Sequence, residues 1–306
     1  MSYSFLKESK LYIEYGSNKY RIYTTTAISF SQTFAEDSYP VKTLHDQTKM
    51  LAGTTITKAN PASFSFTVPL TAEKDESIVM DLLSDLVSTS DSDIETQQLK
   101  SFNMYVQTGS STFKIESCII ASASFALNPR EQFSVELEGE GVKLSRLGNE
   151  SYNLGTIQSE SSTRTPLLVY PVVSIDSLDM SSIISATLQI QNDIEWSRFE
   201  TLHESLAVTN SSNAMFPSAY TVRNRTVSGT VNQYQKDNNI TQFDDFSTNS
   251  NITLKANKFD GTLFWQVQMN PAMYTARVQV GEVYSQSYDY RSLDNTALGT
   301  RITTYS

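Results

Sequence analysis

The constraint that bears hardest on this chain is a two-residue alternation of apolar and polar side chains that returns along much of its length. Ile28, Phe30, Gln32 and Phe34 fall on one side of a pleat, with Ser29, Ser31 and Thr33 on the other. Phe64, Phe66 and Val68 alternate with Ser63, Ser65 and Thr67; Phe133, Val135 and Leu137 alternate with Ser134, Glu136 and Glu138. Successive side chains of a strand point to opposite faces, so such runs bury one face of a sheet and wet the other. The same reading places strands over 10–15, 20–24, 102–107, 112–127 and 132–139. One segment changes period. Thr71 is a candidate N-cap, Glu73, Asp75 and Glu76 load the first turns, and Ile78, Val79, Leu82, Leu83 and Leu86 follow at helical spacing. This predicts a helix over 72–87 that covers a sheet.

Between the Phe30 and Phe66 strands lie about 25 residues, 35–59, far more than an ordinary hairpin loop. Tyr39, Val41, Leu44, Met50, Leu51 and Ile56 punctuate its polar residues Glu36, Asp37, His45 and Asp46. It reads as an extended hairpin arm whose apolar side meets a partner. The pattern then recurs. An offset of 158 lays Ile28–Thr33 on Ala186–Gln191 and Thr43–Gln47 on Thr201–Ser205, which superposes the two histidines of the chain, His45 and His203. An offset of 163 lays Ser63–Val68 on Thr226–Val231, Phe133–Leu137 matches Ala276–Val280 in strand pattern, and Asn239–Phe246 stands as a weaker helix. A second arm then covers 193–215. Self-similarity at this spacing implies a repeated unit. The chain therefore reads as mainly β: two tandem β-sandwich or rolled-barrel domains of like topology, each with one helix and a long β-hairpin arm. They cover 1–148 and 167–306, joined by a polar linker, 149–166, that ends at Pro166.

Charge narrows the function. Lys and Arg number 23 against 33 Asp and Glu, a net charge of −10, with 13 basic to 19 acidic residues up to Glu150 and 10 to 14 after it. Neither half carries the basic footprint by which a nucleic-acid binder neutralises phosphates. A single cysteine, Cys118, excludes an internal disulfide, and no Cys/His spacing suggests zinc. No apolar run approaches the ~20 residues that span a bilayer, and the first residues lack a secretory pattern, so a soluble, non-secreted chain with no membrane partner is expected. His45 and His203 recur at one place in the repeat, which favours a shared structural job over catalysis. No Gly-x-Ser-x-Gly elbow occurs; Gly139-Glu140-Gly141 lacks a third glycine and a following helix; Asp91-Ser92-Asp93-Ile94-Glu95 lacks the glycine and terminal glutamate of a calcium loop. No catalytic residue, metal site or cofactor is assigned, and the chain is expected not to be an enzyme. Trp196 and Trp265 could form a sugar-binding platform, but aromatic residues serve cores and interfaces in strand-rich proteins.

The strand-and-arm segment from Ile28 to Pro40, the helix after Pro69 and the closing Phe133–Gly141 strand, all in tandem copy, resemble the tail-tube proteins of long-tailed bacteriophages. The resemblance implies a structural virion protein, the major tail-tube subunit, assembled in the host cytoplasm and residing in the tail. Inner sheets of neighbouring domains would join into a ring around a channel that conducts DNA during ejection, and rings would stack. The duplication would let three chains supply six domains, a homotrimer with a pseudo-hexameric ring. Implied partners are further copies of the chain, tail terminator and tail-tip or baseplate proteins, and the tape-measure protein and phage DNA passing without specific binding. Inter-ring contacts fall to Glu36, Asp37, Tyr39, Val41, Leu44, His45 and Met50 of the first arm and Trp196, Phe199, Leu202 and His203 of the second. Glu136 and Glu138 are the candidate lumen face, where carboxylates repel phosphates at short range, the alternative being an acidic row turned to the outside solvent. The alternative is a baseplate, tail-tip, or receptor- or carbohydrate-binding tail protein.

Overall fold

The computed structural model describes residues 9–39, 53–83, 99–129, 131–176, 178–196, 215–217, 219–236, 246–293 and 300–304. The first half contains β1 (Lys10–Tyr15), β2 (Asn18–Ile22), β3 (Ser29–Ser31), β4 (Phe34–Tyr39), β5 (Gly53–Ala59), β6 (Ala62–Pro69), α1 (Ser77–Leu83), β7 (Phe102–Gln107), β8 (Thr112–Leu127), β9 (Ser134–Gly141) and β10 (Lys143–Gly148). The second contains β11 (Val169–Ile175), β12 (Ile183–Trp196), β13 (Tyr220–Tyr234), β14 (Phe246–Lys258), β15 (Leu263–Gln279), β16 (Ser285–Ser292) and β17 (Thr300–Thr304). The protein is mainly β, as the alternation predicts.

Two long strands organise the sheet. β8 spans 16 residues and β15 spans 17, and each changes partners along its length. The first part of β8 lies between β7 and β10; beyond Cys118 it takes β9 on one edge, and from Ser122 to Leu127 it takes β12 on the other. The first part of β15 lies between β14 and β17, and its later part pairs with β16. β6 bridges β3 and β9, and β13 bridges β12 and β16. One layer therefore runs without interruption as β3-β6-β9-β8-β12-β13-β16-β15, crossing from the first half to the second at β8 and β12. Behind it, β7, β1 and β2 extend the first part of β8, and β14 and β11 extend that of β15.

The core fills the space between these layers. Phe64, Phe66, Val68, Val135 and Leu137 are buried as the alternation requires, and they share one apolar cluster with Leu188, Ile190, Val231 and Tyr288 of the second half. Aromatic rings tie the halves together: Phe125 sits 4.5 Å from Trp265 between ring centroids, and Phe133 meets Phe264 at 6.1 Å. Trp265 is fully buried. It is a core residue, not a sugar platform.

The linker is a strap. Its backbone N–H at Gln158 donates to the Lys19 carbonyl at 2.8 Å, Tyr23 donates its hydroxyl to Glu160 at 2.6 Å, and Glu73 accepts the Thr165 N–H at 2.8 Å. Arg164 stacks 3.7 Å from the Tyr23 ring centroid and pairs with Glu76, whose side chain is 0% exposed and also accepts the Thr71 hydroxyl at 2.8 Å. Leu167 then exchanges main-chain hydrogen bonds with Leu70 and Phe133.

Tertiary contacts explain where the structure departs from the sequence reading. The helix begins at Ser77 because Glu73, Asp75 and Glu76 hold the linker, and Thr71 bonds Glu76 and bridges Pro166 in place of capping. Its expected stripe of Ile78, Val79, Leu82 and Leu83 is buried; Leu86 lies outside the described residues. The pleat from Ile28 breaks at Gln32, whose amide donates to the carbonyls of Asn60 and Val142 and accepts the Leu144 N–H. Phe34, 48% exposed, starts the arm instead of continuing the buried face. β10 is an additional strand that its weak alternation concealed. Phe246 opens a strand, not a helix, while 237–245 lie outside the described residues. Ala276–Val280 falls at the end of β15; the strand placed against β13 as β9 is against β6 is β16.

Because both halves share one core and one sheet, urea unfolding monitored by tryptophan fluorescence and circular dichroism is expected to give one coincident transition; two separated transitions would contradict the shared core. Trp265→Ala should cost about 3–5 kcal/mol in that assay. Arg164→Ala, which strands the buried Glu76 carboxylate, should cost about 3 kcal/mol, and adding Glu76→Gln should recover part of it.

Candidate functional site

Eight strands of one layer turn a common face outward, and its side chains run in cross-strand rows. One row reads Ser29, Ser65, Glu138, Ser122, Gln191, Thr226. The next reads Thr67, Glu136, Ser124, Gln189, Ser228, Arg291, Met273, and a third Ala126, Thr187, Thr230, Asp289, Thr275. The opposite face of the same backbone supplies Phe66, Leu137, Ala123, Ile190 and Val227, all buried. Short hydroxyl and amide side chains dominate the outward rows, which carry no aromatic ring. Such a surface holds water through many weak hydrogen bonds, with Met273 and Ala126 as its apolar members.

Its charge is uneven. Glu136 and Glu138 are exposed on β9 beside the half-buried Glu140, and no Lys or Arg occurs in β3, β6, β9 or residues 119–127 of β8. Glu138 accepts the Ser122 hydroxyl at 3.3 Å, and Glu140 accepts the Trp196 indole N–H at 2.5 Å. On the second half Asp289 pairs with Arg277 and accepts the Thr230 hydroxyl at 3.1 Å, with Arg291 nearby on the same strand. The first half of the face is thus acidic, while β15 and β16 carry Arg277 and Arg291 against Asp289.

The first arm leaves from one end of this layer. β4 and β5 pair antiparallel, with Glu36 opposite Ile56, Asp37 opposite Thr55 and Tyr39 opposite Gly53. Asn60 fastens the base, donating its backbone N–H to the Thr33 carbonyl and its amide to the Thr33 hydroxyl. Lys58, Asn60 and Pro61 share a cavity of about 110 Å³ with Trp196, Phe216 and Pro217, so the base of the first arm adjoins the β12–β13 connection. Trp196 itself is not out on an arm: it closes β12, with its ring 5.4 Å from that of Tyr220. Val41, Leu44, His45, Met50, Phe199, Leu202 and His203 lie outside the described residues. At the other end of the layer Tyr234, Val283 and Tyr284 are 47%, 57% and 56% exposed.

Among the described residues three shallow depressions mark the polar face, of about 420 Å³ bordered by Gln189, Ser228, Asp289 and Arg291, about 430 Å³ by Gln191, Asp193 and Thr226, and about 290 Å³ by Ser65, Glu138 and Glu140. Cys118 is buried at 0% exposure, and burial pushes its thiol well above the ordinary range, which keeps it protonated and inert. Among the described residues no cluster of His, Cys, Asp or Glu could hold a metal ion. What the geometry offers is an extended wetted wall. The sequence reading found Glu136 and Glu138 on it but missed the Thr187, Gln189, Ser228 and Asp289 side, although the alternation of Ala186–Gln191 and Thr226–Val231 carries that signal.

Residues 1–298 match the Bacteriophage Baseplate Tube Protein Family. The chain is also similar to baseplate tube protein p140 of Escherichia phage T5, at 24% identity over 210 residues that make up 64% of this chain and 65% of that protein, a little under two thirds of the relative's length. On the strength of a match along nearly its whole length, the chain belongs to the Bacteriophage Baseplate Tube Protein Family.

Proposed function

We propose that the chain is a structural subunit of a phage tail tube, in the segment that traverses the baseplate, and that three copies close into a ring walled on the inside by the polar face. The observation that carries this reading is a single sheet layer eight strands wide, wet on one face, that ends, among the described residues, in strands paired on one side alone. The family match points the same way. The two halves descend, in this reading, from one duplicated domain: β8 with β7, β10 and β9 has its counterpart in β15 with β14, β17 and β16.

Geometry favours three copies over two. At ~4.8 Å between strands and a tilt of ~40°, a closed barrel of 24 strands has a backbone radius of ~24 Å, against ~16 Å for 16 strands. Allowing ~5 Å of side chain on each wall leaves openings of ~38 and ~22 Å. Only the wider one passes a hydrated duplex with clearance. Glu136 and Glu138 would then repel phosphates near the wall, where the Debye length is ~8 Å at physiological salt, and hydroxyl rows would let DNA and the tape-measure protein slide without sticking. Both arms would reach from one end of the ring to the next ring, whose far end presents Tyr234, Val283 and Tyr284. Terminator and tail-tip or baseplate proteins would cap the stack.

Negative-stain imaging of the purified chain tests the reading. Hollow rings, singly or in short stacks, are expected of a baseplate segment; long rods would move the chain to the main tail tube, and persistent monomers across salt and concentration would sink both. Replacing residues 40–52 by a short turn should leave rings and abolish stacks. Glu136→Lys with Glu138→Lys should preserve rings but make them retain duplex DNA at low salt in a filter assay, with retention lost as salt rises.

A further inference from the structure

The two halves meet along one strand pair, β8 with β12, and that pair is a template for the one missing at the ends of the layer. We propose that β3 of one copy lies antiparallel along the open edge of β15 in the next, with Ser29 opposite Gln279, Phe30 opposite Val278 and Ser31 opposite Arg277. This deepens the ring reading above and rests on it.

The register follows from the chain's own hydrogen-bond ladders. Phe30 pairs with Phe64 across β3 and β6, as Leu188 pairs with Gly229 across β12 and β13. Phe64 then pairs with Gly139, and Gly229 with Tyr290. Two residues along, Leu137 pairs with Ala123 on β8, and Tyr288 with Ala276 on β15. An independent feature fixes this equivalence. A Cβ on Gly139 would lie 2.2 Å from Cζ of Phe64, and one on Gly229 would lie 2.5 Å from Oη of Tyr290. Each half thus places one aromatic ring across one glycine at the same cross-strand position, with the two members exchanged between strands; neither glycine leaves room for a side chain.

With Leu188 equivalent to Phe30 and Ala123 to Ala276, the internal seam translates directly. Thr187 opposite Ala126 becomes Ser29 opposite Gln279, Leu188 opposite Phe125 becomes Phe30 opposite Val278, and Gln189 opposite Ser124 becomes Ser31 opposite Arg277. Facing is preserved: Ser29, Ser31, Arg277 and Gln279 are exposed, as are Thr187, Gln189, Ser124 and Ala126.

Among the described residues neither edge has a further partner: β3 pairs with β6 alone, and past Thr275, the partner of Phe246, β15 pairs with β16 alone. Burial shows what is missing at these edges. Phe125, Leu127 and Leu188 are no more than 1% exposed because the internal seam covers them. Their equivalents Val278 and Phe30 are only half-buried, and Val280, equivalent to Leu127, is 78% exposed. A second copy of this chain supplies the matching edge on each side, and a head-to-tail contact of this kind gives a ring when its rotation closes after three copies.

Cysteine pairs test the register in the full chain, since the native Cys118 is buried. Facing positions on neighbouring strands have Cβ atoms about 4.5–5.5 Å apart and diagonal positions about 7–8 Å, so only the former oxidise readily. Ser29→Cys with Gln279→Cys should, under oxidised glutathione, give crosslinked dimer and trimer on a denaturing gel. The product should exceed at least ~10-fold that of the pair Ser31→Cys with Gln279→Cys, displaced by two residues. Ala126→Cys with Thr187→Cys, across the internal seam, should close within one chain and serves as the positive control. Rings visible by electron microscopy with no crosslink, or with equal crosslinking from the displaced pair, would overturn the register and leave the ring standing. Absence of rings for the unmodified chain would overturn the ring and the register together.

Discussion

The structure depends on the pairing of β8 with β12. Through six residue pairs from Ser122–Gln191 to Leu127–Ala186, main-chain hydrogen bonds carry one sheet from the first half of the chain into the second. Remove that pairing and two small sheets would each expose an edge and an apolar flank; with it, Phe125 and Leu127 are covered, and Trp265 can pack against Phe125 and Phe133. β8 is long enough to serve both layers, and its register shift between Ile120 and Ser122 lies where its partners change. A bulge of this kind bends a strand and re-aims it, which lets one strand leave the backing sheet and join the front one.

The chemistry of the front layer follows from this continuity. A sheet with one face in the core and one in water needs polar outward residues, but that requirement alone would admit any mixture of charges. The chain instead uses Ser, Thr and Gln, with carboxylates concentrated on β9 and opposite charges paired on β16 and β15. Short neutral groups hydrate evenly and grip nothing, whereas lysines there would bind a polyanion. The strap from Gln158 to Leu167 belongs to the same economy of assembly: Arg164 neutralises the buried Glu76, and Leu167 occupies the end of the first half between Leu70 and Phe133.

Much of this was legible in the amino-acid order, and the parts that were not share a cause. Alternation alone located Phe64, Phe66 and Val68 on a buried face and Glu136 and Glu138 on a wet one, because period-two patterning records burial directly. Features set by distant partners left no such mark. Thr71, followed by acidic residues, has every local sign of a helix cap, yet the linker about ninety residues away claims those side chains. Gln32 continues the pleat of Ile28 and Phe30 on paper, but bonds to Asn60, Val142 and Leu144 end the strand. The equivalence of Phe133–Leu137 with Ala276–Val280 failed because the motif of alternation is common to neighbouring strands, and only hydrogen-bond partners distinguish β15 from β16. On the candidate wall, carboxylates were conspicuous in the sequence, while the neutral rows of β12 and β13 were not, since serine and threonine mark no function until a sheet aligns them.

Hydrogen–deuterium exchange, compared between dispersed and assembled protein, tests most directly whether copies of the chain satisfy each other's open strands. The account predicts that those amides of residues 29–31 and 276–280 that point away from β6 and β16 become strongly protected on assembly, while the amides of 122–127 and 186–191 are protected in both states. Equal, rapid exchange at 29–31 and 276–280 before and after assembly would contradict it.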